Sequence, residues 1–154
     1  MKKALKIVFS VSFIVYLFVL TSILFLGSRG FAWDGMSLTD YIRQSSNFIP
    51  FKTISMYFQV LSDGRMNIDI PIKNLLGNFV LLMPMGVYLP FFTKKMNSII
   101  LFTVSMTAML ITIEIIQVIT RRGSFDIDDY ILNMLGALIG FGLWKSKFVG
   151  RISR

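Results

Sequence analysis

The chain has 154 residues, 55% of them hydrophobic, with a mean hydropathy of +0.69. Only 16% are charged, against about a quarter in ordinary soluble domains, and the charges fall mostly between long apolar runs, which excludes a soluble globular domain and describes an integral membrane protein. The formal charge of +8 sits in short flanks beside those runs, which argues against nucleic acid as a partner, and the lack of Cys and His excludes disulfides, thiolate chemistry and imidazole catalysis.

The first apolar run covers about 7–26. Its leader, Met1-Lys2-Lys3-Ala4-Leu5-Lys6, could open a signal peptide, with Gly30-Phe31-Ala32 as a loose cleavage site. The run exceeds the ~7–15 residues of a signal-peptide core, so an uncleaved anchor is the preferred reading.

The segment from about 27 to 73 is too long and too apolar for a plain linker. Ser37 and Asp40 have the spacing of a capping box, with Leu38, Tyr41 and Ile42 on one face of the helix that follows. A second short helix is predicted from near Pro50, in its first turn, with Ile54, Phe58 and Leu61 along one side. Asp63-Gly64-Arg65 reads as a turn. Both helices look amphipathic, lying at the outer interface or over the bundle; a loop burying its apolar residues is the alternative.

Three further spans are predicted at about 75–92, 99–119 and 127–144, each near the ~20 residues that cross the hydrocarbon. Pro84 and Pro90 remove backbone donors and clash with the preceding turn, so the second span should kink or break. The fourth begins with acids, which blurs its start. The fold class expected is an all-α integral membrane protein, one domain over 1–154, with four transmembrane helices and short amphipathic helices in the first extracytoplasmic segment.

Orientation follows from the flanks. Lys2, Lys3, Lys6, Lys94, Lys95, Lys145, Lys147, Arg151 and Arg154 have no acidic companion. On the other side, Arg29, Arg43, Lys52, Arg65, Lys73, Arg121 and Arg122 are balanced by Asp34, Asp40, Asp63, Asp69, Asp126, Asp128 and Asp129. The positive-inside pattern therefore puts both termini in the cytoplasm, the membrane being the plasma membrane of a bacterium.

Against this apolar background the buried-polar candidates stand out. Glu114 follows an uninterrupted apolar and hydroxyl run from Ile99, where an ionisable group is expensive unless paired, hydrated or neutral. Glu114 and Gln117 share a helix face, as do Asn74 and Asn78. Asp126, Asp129 and Asn133 form one stripe if their stretch is helical. At ~1.5 Å per residue Glu114 lies roughly 8 Å inside a boundary near Ile119, and Asn78 and Asn133 fall at a similar depth. Three helices would thus offer polar groups in one layer, where Glu114 could accept amide protons from Asn78 or Asn133 or bind Arg121 or Arg122. Gly136 and Gly140 allow close helix approach, within the bundle in preference to a homodimer.

The turn Arg121-Arg122-Gly123-Ser124-Phe125-Asp126-Ile127-Asp128-Asp129 sets two cations beside three carboxylates. Neutralisation of Arg by Asp, recognition of a polar or phosphorylated head group by the arginines, and Mg2+ or Ca2+ at Asp126, Asp128 and Asp129 are all compatible with it. No dedicated cofactor motif is present.

These motifs also resemble a known family, the VanZ-like membrane proteins, named after a teicoplanin-resistance factor. The resemblance rests on Asn47-Phe48-Ile49-Pro50-Phe51, on Asn74-Leu75-Leu76-Gly77-Asn78 running through Pro84, Gly86 and Pro90, and on Glu114-Ile115-Ile116-Gln117. Arg122-Gly123-Ser124-Phe125-Asp126-Ile127-Asp128-Asp129, leading into Asn133 and Gly136, completes it. It implies several transmembrane helices carrying this polar set, and a link to lowered susceptibility to teicoplanin, a lipid-tailed glycopeptide, without the usual change of cell-wall precursor.

The leading functional expectation is binding of a membrane lipid or lipid-tailed cell-envelope molecule at the outer leaflet. Arg121 and Arg122 would meet the head, and Asn78, Glu114, Gln117, Asp126, Asp129 and Asn133 would shape the pocket. The alternative is an intramembrane enzyme on a lipid-linked substrate, with Glu114 as general acid and Asp126 or Asp129 as base. A third reading is a structural network with no ligand. Transport is disfavoured, because no inverted repeat is evident.

Overall fold

A computed structural model describes residues 2–26, 35–64 and 67–146. Its elements are α1 (Lys2–Thr21), running on as a π-helical turn (Ser22–Leu26), α2 (Leu38–Ser45), α3 (Lys52–Asp63), α4 (Asp69–Leu81), α5 (Met85–Phe92), a 3₁₀ turn (Lys94–Asn97), α6 (Ile99–Ile119) and α7 (Ile127–Lys145). Among the described residues the isolated extended pairing is one bridge between Asn47 and Asp126. The expected cleavage site at 30–32, and Arg29, Asp34, Arg65, Lys147, Arg151 and Arg154 from the charge pattern, lie outside the described residues.

Three helical stretches, Lys3–Leu26, Asp69–Phe92 and Ile99–Ile119, are long and apolar enough to cross a membrane. The protein is an all-α, multi-span membrane protein. The second stretch begins six residues before the expected boundary, at Asp69. The expected fourth span corresponds to α7, whose acidic start, Asp128 and Asp129, dilutes its apolar character. α7 lies at the centre of the helices, burying Asp128, Asn133, Met134, Gly136, Ala137, Gly140 and Phe141.

Glycine permits this central position. A Cβ on Gly136 would overlap the Phe79 carbonyl, and one on Gly140 the Met83 carbonyl. From the opposite side a Cβ on Gly86 would strike the α7 backbone at Ala137 and Phe141. The small-residue spacing thus serves backbone-to-backbone packing of α7 on α4 and α5 within one chain.

Pro84 sets the break between α4 and α5. It has no N–H for Val80, and Met85 N donates to Leu82 O instead of the Leu81 carbonyl four residues back. The Leu81 carbonyl is taken by the Tyr16 hydroxyl of α1 at 2.8 Å. A buried carbonyl freed by a proline needs such a donor in lipid. The same face of α1 adds rings: Phe9 stacks on Phe91 at 4.2 Å and Phe13 lies 4.9 Å from Tyr88. Pro90 is accommodated inside α5.

Below the polar layer, Leu20, Leu82, Met85, Phe102, Met106, Leu110, Met134, Ala137 and Phe141 make the apolar core. α6 contributes Phe102, Met106 and Leu110 at four-residue intervals, while Ile100, Val104, Ile111 and Ile115 on its other faces stay exposed, as lipid-facing residues do.

The 35–64 segment forms two short helices. Asp40 N donates to Ser37 Oγ at 3.2 Å and Ser37 Oγ donates to Asp40 Oδ2 at 2.6 Å, the expected cap of α2. On that helix Tyr41 turns inward, while Leu38 and Ile42 are exposed. α3 starts at Lys52, with Phe51 at its N-cap in a left-handed conformation, so Pro50 precedes the helix instead of opening it. Ile54, Tyr57 and Leu61 are half-buried and Phe58 is exposed, which corrects the expected Ile54–Phe58–Leu61 face by one residue. Gly64, at φ +63, closes α3.

Candidate functional site

The α6 stripe Phe102–Met106–Leu110 continues one turn further as Glu114. That periodicity turns Glu114 inward, where it is 5% exposed. Gln117, one turn on, is also buried. α4 presents Asn78 and α7 presents Asp129 and Asn133 at the same level. Together with Leu24, Leu81, Leu82, Leu110 and Ile113 these five polar residues line one small cavity. The space open to the centre of a water molecule is about 10 Å3, close to what a single water requires.

The hydrogen bonds differ from those expected. Asn78 Nδ2 donates to Asp129 Oδ1 across the α4–α7 contact. Asn133 Nδ2 donates to its own helix, at the Asp129 carbonyl, 2.8 Å away. The two amides therefore serve Asp129, whereas Glu114 Oε2 accepts from the backbone N–H of Asp126 at 3.3 Å. Gln117 Nε2 donates to Leu24 O at 2.9 Å, fastening the π-helical end of α1 to α6.

Asp126 does not join the Asp129–Asn133 face. It is the N-cap of α7, in extended conformation, with its carboxylate accepting from Asp128 N. Its Oδ1 also accepts from Asn47 Nδ2 at 3.0 Å and its Oδ2 from Thr53 Oγ1 at 2.6 Å. Asp128, fully buried, accepts from the backbone N–H groups of Phe51, Thr53 and Ile54 at 2.5, 2.7 and 3.1 Å. The three acids of the turn thus diverge, toward Asn47 and Thr53, toward the start of α3, and toward Asn78. Among the described residues no group of three acids gathers in a way that could hold a metal ion. Asp126 and Asp128 are satisfied by neutral donors, so the expected neutralisation of Arg by Asp does not describe them.

Nor do the two arginines line the cavity. Arg121, at φ +54, donates from Nη2 to Met36 O at 2.7 Å and lies over the Tyr41 ring. Tyr41 in turn donates to Gly123 O at 2.6 Å, tying α2 to the α6–α7 turn. Arg122 is exposed, with its backbone N–H on Gln117 O. Gly123 packs on the Gln117 side chain, where a Cβ would come within 3.2 Å. The site therefore has two levels: a polar cavity between α1, α4, α6 and α7, and a cap of α2, α3 and the 121–126 turn.

The profile of the VanZ/LLP1 family matches residues 13–149. The chain belongs to the VanZ/LLP1 family. No curated protein and no solved structure matches it. The VanZ/LLP1 match takes in every cavity residue, the cap and both partners of the Asn47–Asp126 bridge.

Several residues that build this VanZ/LLP1 site escape a reading by spacing. Asn47 N donates to Phe125 O and Ile127 N donates to Asn47 O, so Asn47 clamps the start of α7 with backbone and side chain alike. Thr53 and Tyr41 hold the cap from positions with no polar periodicity. Asn47 carried a signal, as the first residue of a motif the family resemblance singled out. Thr53, Tyr41 and the Leu24 carbonyl carried none, because their partners lie more than seventy residues away along the chain.

Proposed function

We propose that this VanZ/LLP1 protein binds an amphiphilic molecule, a membrane lipid or a lipid-tailed cell-envelope compound, at the outer leaflet of a bacterial plasma membrane. In this reading α7 is a fourth span, both termini are cytoplasmic and the α2–α3 cap faces outward. The observation that carries it is the gathering of Asn78, Glu114, Gln117, Asp129 and Asn133 around one cavity in otherwise apolar helices. Polar groups at such depth are costly to keep, and function is the default account of them. Exposed Arg122, at the rim of the cap, would meet an anionic head, and the exposed apolar residues Phe48, Ile49, Phe51 and Phe58 would lie beside acyl chains. Glycopeptide tolerance would follow if the bound amphiphile is the lipoglycopeptide or its cell-wall target.

Native mass spectrometry of the gently extracted protein, with its lipids identified, tests this. One lipid class retained by the wild type and lost from Arg122→Ala supports head-group recognition. Indiscriminate retention in both proteins overturns it.

A second reading is favoured by Glu114 and Asp129 lining the same cavity. Paired carboxylates suit acid–base chemistry on a lipid-linked substrate. Turnover of such a substrate that is equal in wild type and Glu114→Gln would reject Glu114 as the acid.

A further inference from the structure

The unexplained atom of the cavity is Asn133 Oδ1. Asn133 is 5% exposed, it lines the cavity, and its Oδ1 is buried with no hydrogen-bond partner. The orientation of the amide is determined by its other end. Nδ2 donates to the Asp129 carbonyl at 2.8 Å, and a flipped amide would set two oxygens against each other there. Oδ1 is therefore a fixed acceptor awaiting a donor. An unsatisfied buried acceptor is costly, and buried polar groups in native proteins are overwhelmingly paired.

We propose that the cavity is a site for a single O–H donor, either one water molecule or one hydroxyl of a membrane-borne amphiphile, held on Asn133 Oδ1. Three observations converge on this. The acceptor is fixed and has no partner among the described residues. The space suits one oxygen atom with its protons, about 10 Å3 for its centre. The lining adds the carboxylates of Glu114 and Asp129 and the amides of Asn78 and Gln117, so a donor on Asn133 has polar neighbours for its remaining proton and lone pairs. A divalent cation is a poor occupant, because it would need about six or more oxygen ligands.

Three of the four leucines of the lining, Leu24, Leu81 and Leu82, belong to the π-helical end of α1 and to the C-terminal end of α4. At this wall α1 is joined to its neighbours by single hydrogen bonds, Gln117 Nε2 to Leu24 O and Tyr16 Oη to Leu81 O. A hydroxyl attached to an acyl-bearing molecule would enter past this wall. The hydroxyl form of the proposal rests on the amphiphile-binding role given above, and the water form does not.

The experiment uses the full chain in nanodiscs of equal parts phosphatidylglycerol and phosphatidylpropanol. These lipids have the same charge and differ in the head-group hydroxyls. Lipid retained after release is counted by native mass spectrometry, and water contact at the Asn133 side-chain amide is read by NMR magnetisation transfer. One hydrogen bond corresponds to about a tenfold preference. Retention of phosphatidylglycerol over phosphatidylpropanol by about tenfold, lost in Asn133→Leu, identifies a lipid hydroxyl. Equal retention with water transfer to Asn133 identifies water; it supports the donor site while removing this cavity from head-group recognition. Equal retention with no water transfer overturns the proposal. If Asn133→Leu fails to fold, Asn133→Asp, which keeps an acceptor but not the Nδ2 donor, takes its place, and an unchanged preference of about tenfold in a folded Asn133→Leu overturns the lipid-hydroxyl form.

Discussion

Asp128, near the start of α7, accepts the backbone N–H of Thr53 at 2.7 Å, joining two segments 75 residues apart. With the Phe51 and Ile54 bonds, the same carboxylate caps the first turn of α3, which has no side-chain cap of its own. An acid of one helix thus completes the N-terminus of another, where the macrodipole favours negative charge. The consequence is that the cap over the cavity is positioned by the central helix.

Asp128→Ala leaves these donors without their carboxylate in a fully buried place. The expected loss of stability is about 2–4 kcal/mol. Thermal unfolding of the purified protein checks it, and Asp128→Asn, which keeps one acceptor oxygen, should fall between Ala and wild type. Limited proteolysis should find new cleavage within 47–58 in the alanine variant.

Glycine substitutions should separate by position. Gly136→Ala and Gly140→Ala push a Cβ into the Phe79 and Met83 carbonyls, so α7 must move off α4 and α5. A loss of about 3 kcal/mol or more, or failure to accumulate folded protein, is expected. Gly77→Ala and Gly142→Ala meet nothing within 4 Å. Both lie in helices, so a gain of about 0.5–1 kcal/mol is expected from the better helix former. Equal effects at Gly77 and Gly136, measured by midpoint of unfolding, would contradict the close approach.

Tyr16→Phe removes the donor to the Leu81 carbonyl at the proline break. The expected loss is about 1 kcal/mol. In a Pro84→Ala background the helical ladder can close again, and Met85 N can return to Leu81 O. The loss from Tyr16→Phe should then shrink by more than half, a coupling that a double-mutant cycle measures.

Glu114→Gln keeps an acceptor for Asp126 N–H, and Glu114→Leu does not. The glutamine variant should stay folded, with the leucine variant about 1–3 kcal/mol less stable than it. Comparable unfolding midpoints for the two would show that the contact with the start of α7 contributes nothing.

Much of the architecture was legible before any coordinates. The apolar runs marked the long helices, because burial in hydrocarbon requires about twenty apolar residues whatever the partners are. Pro84 marked the break in the second span, Ser37 and Asp40 the start of α2, and the uninterrupted run before Glu114 an inward-facing acid. Helical periodicity alone put Asn78, Glu114, Gln117 and the Asp129–Asn133 pair on faces that could meet. Those are local properties, set by backbone sterics and side-chain polarity over a few residues.

The wiring was not legible, because it depends on which backbones approach. Gly136 and Gly140 bring α7 against α4 and α5, and that contact delivers Asp129 to Asn78. Spacing put Asp126 on a stripe with Asp129, but the residue before a helix is extended, so its side chain departs from the helical face to Asn47 and Thr53. Asp128 could have served an arginine, a metal or a helix end. Packing of α3 on α7 supplied the backbone donors of 51–54, and hydrogen bonds to a buried carboxylate form only where the chain has already excluded water and fixed the donors in place.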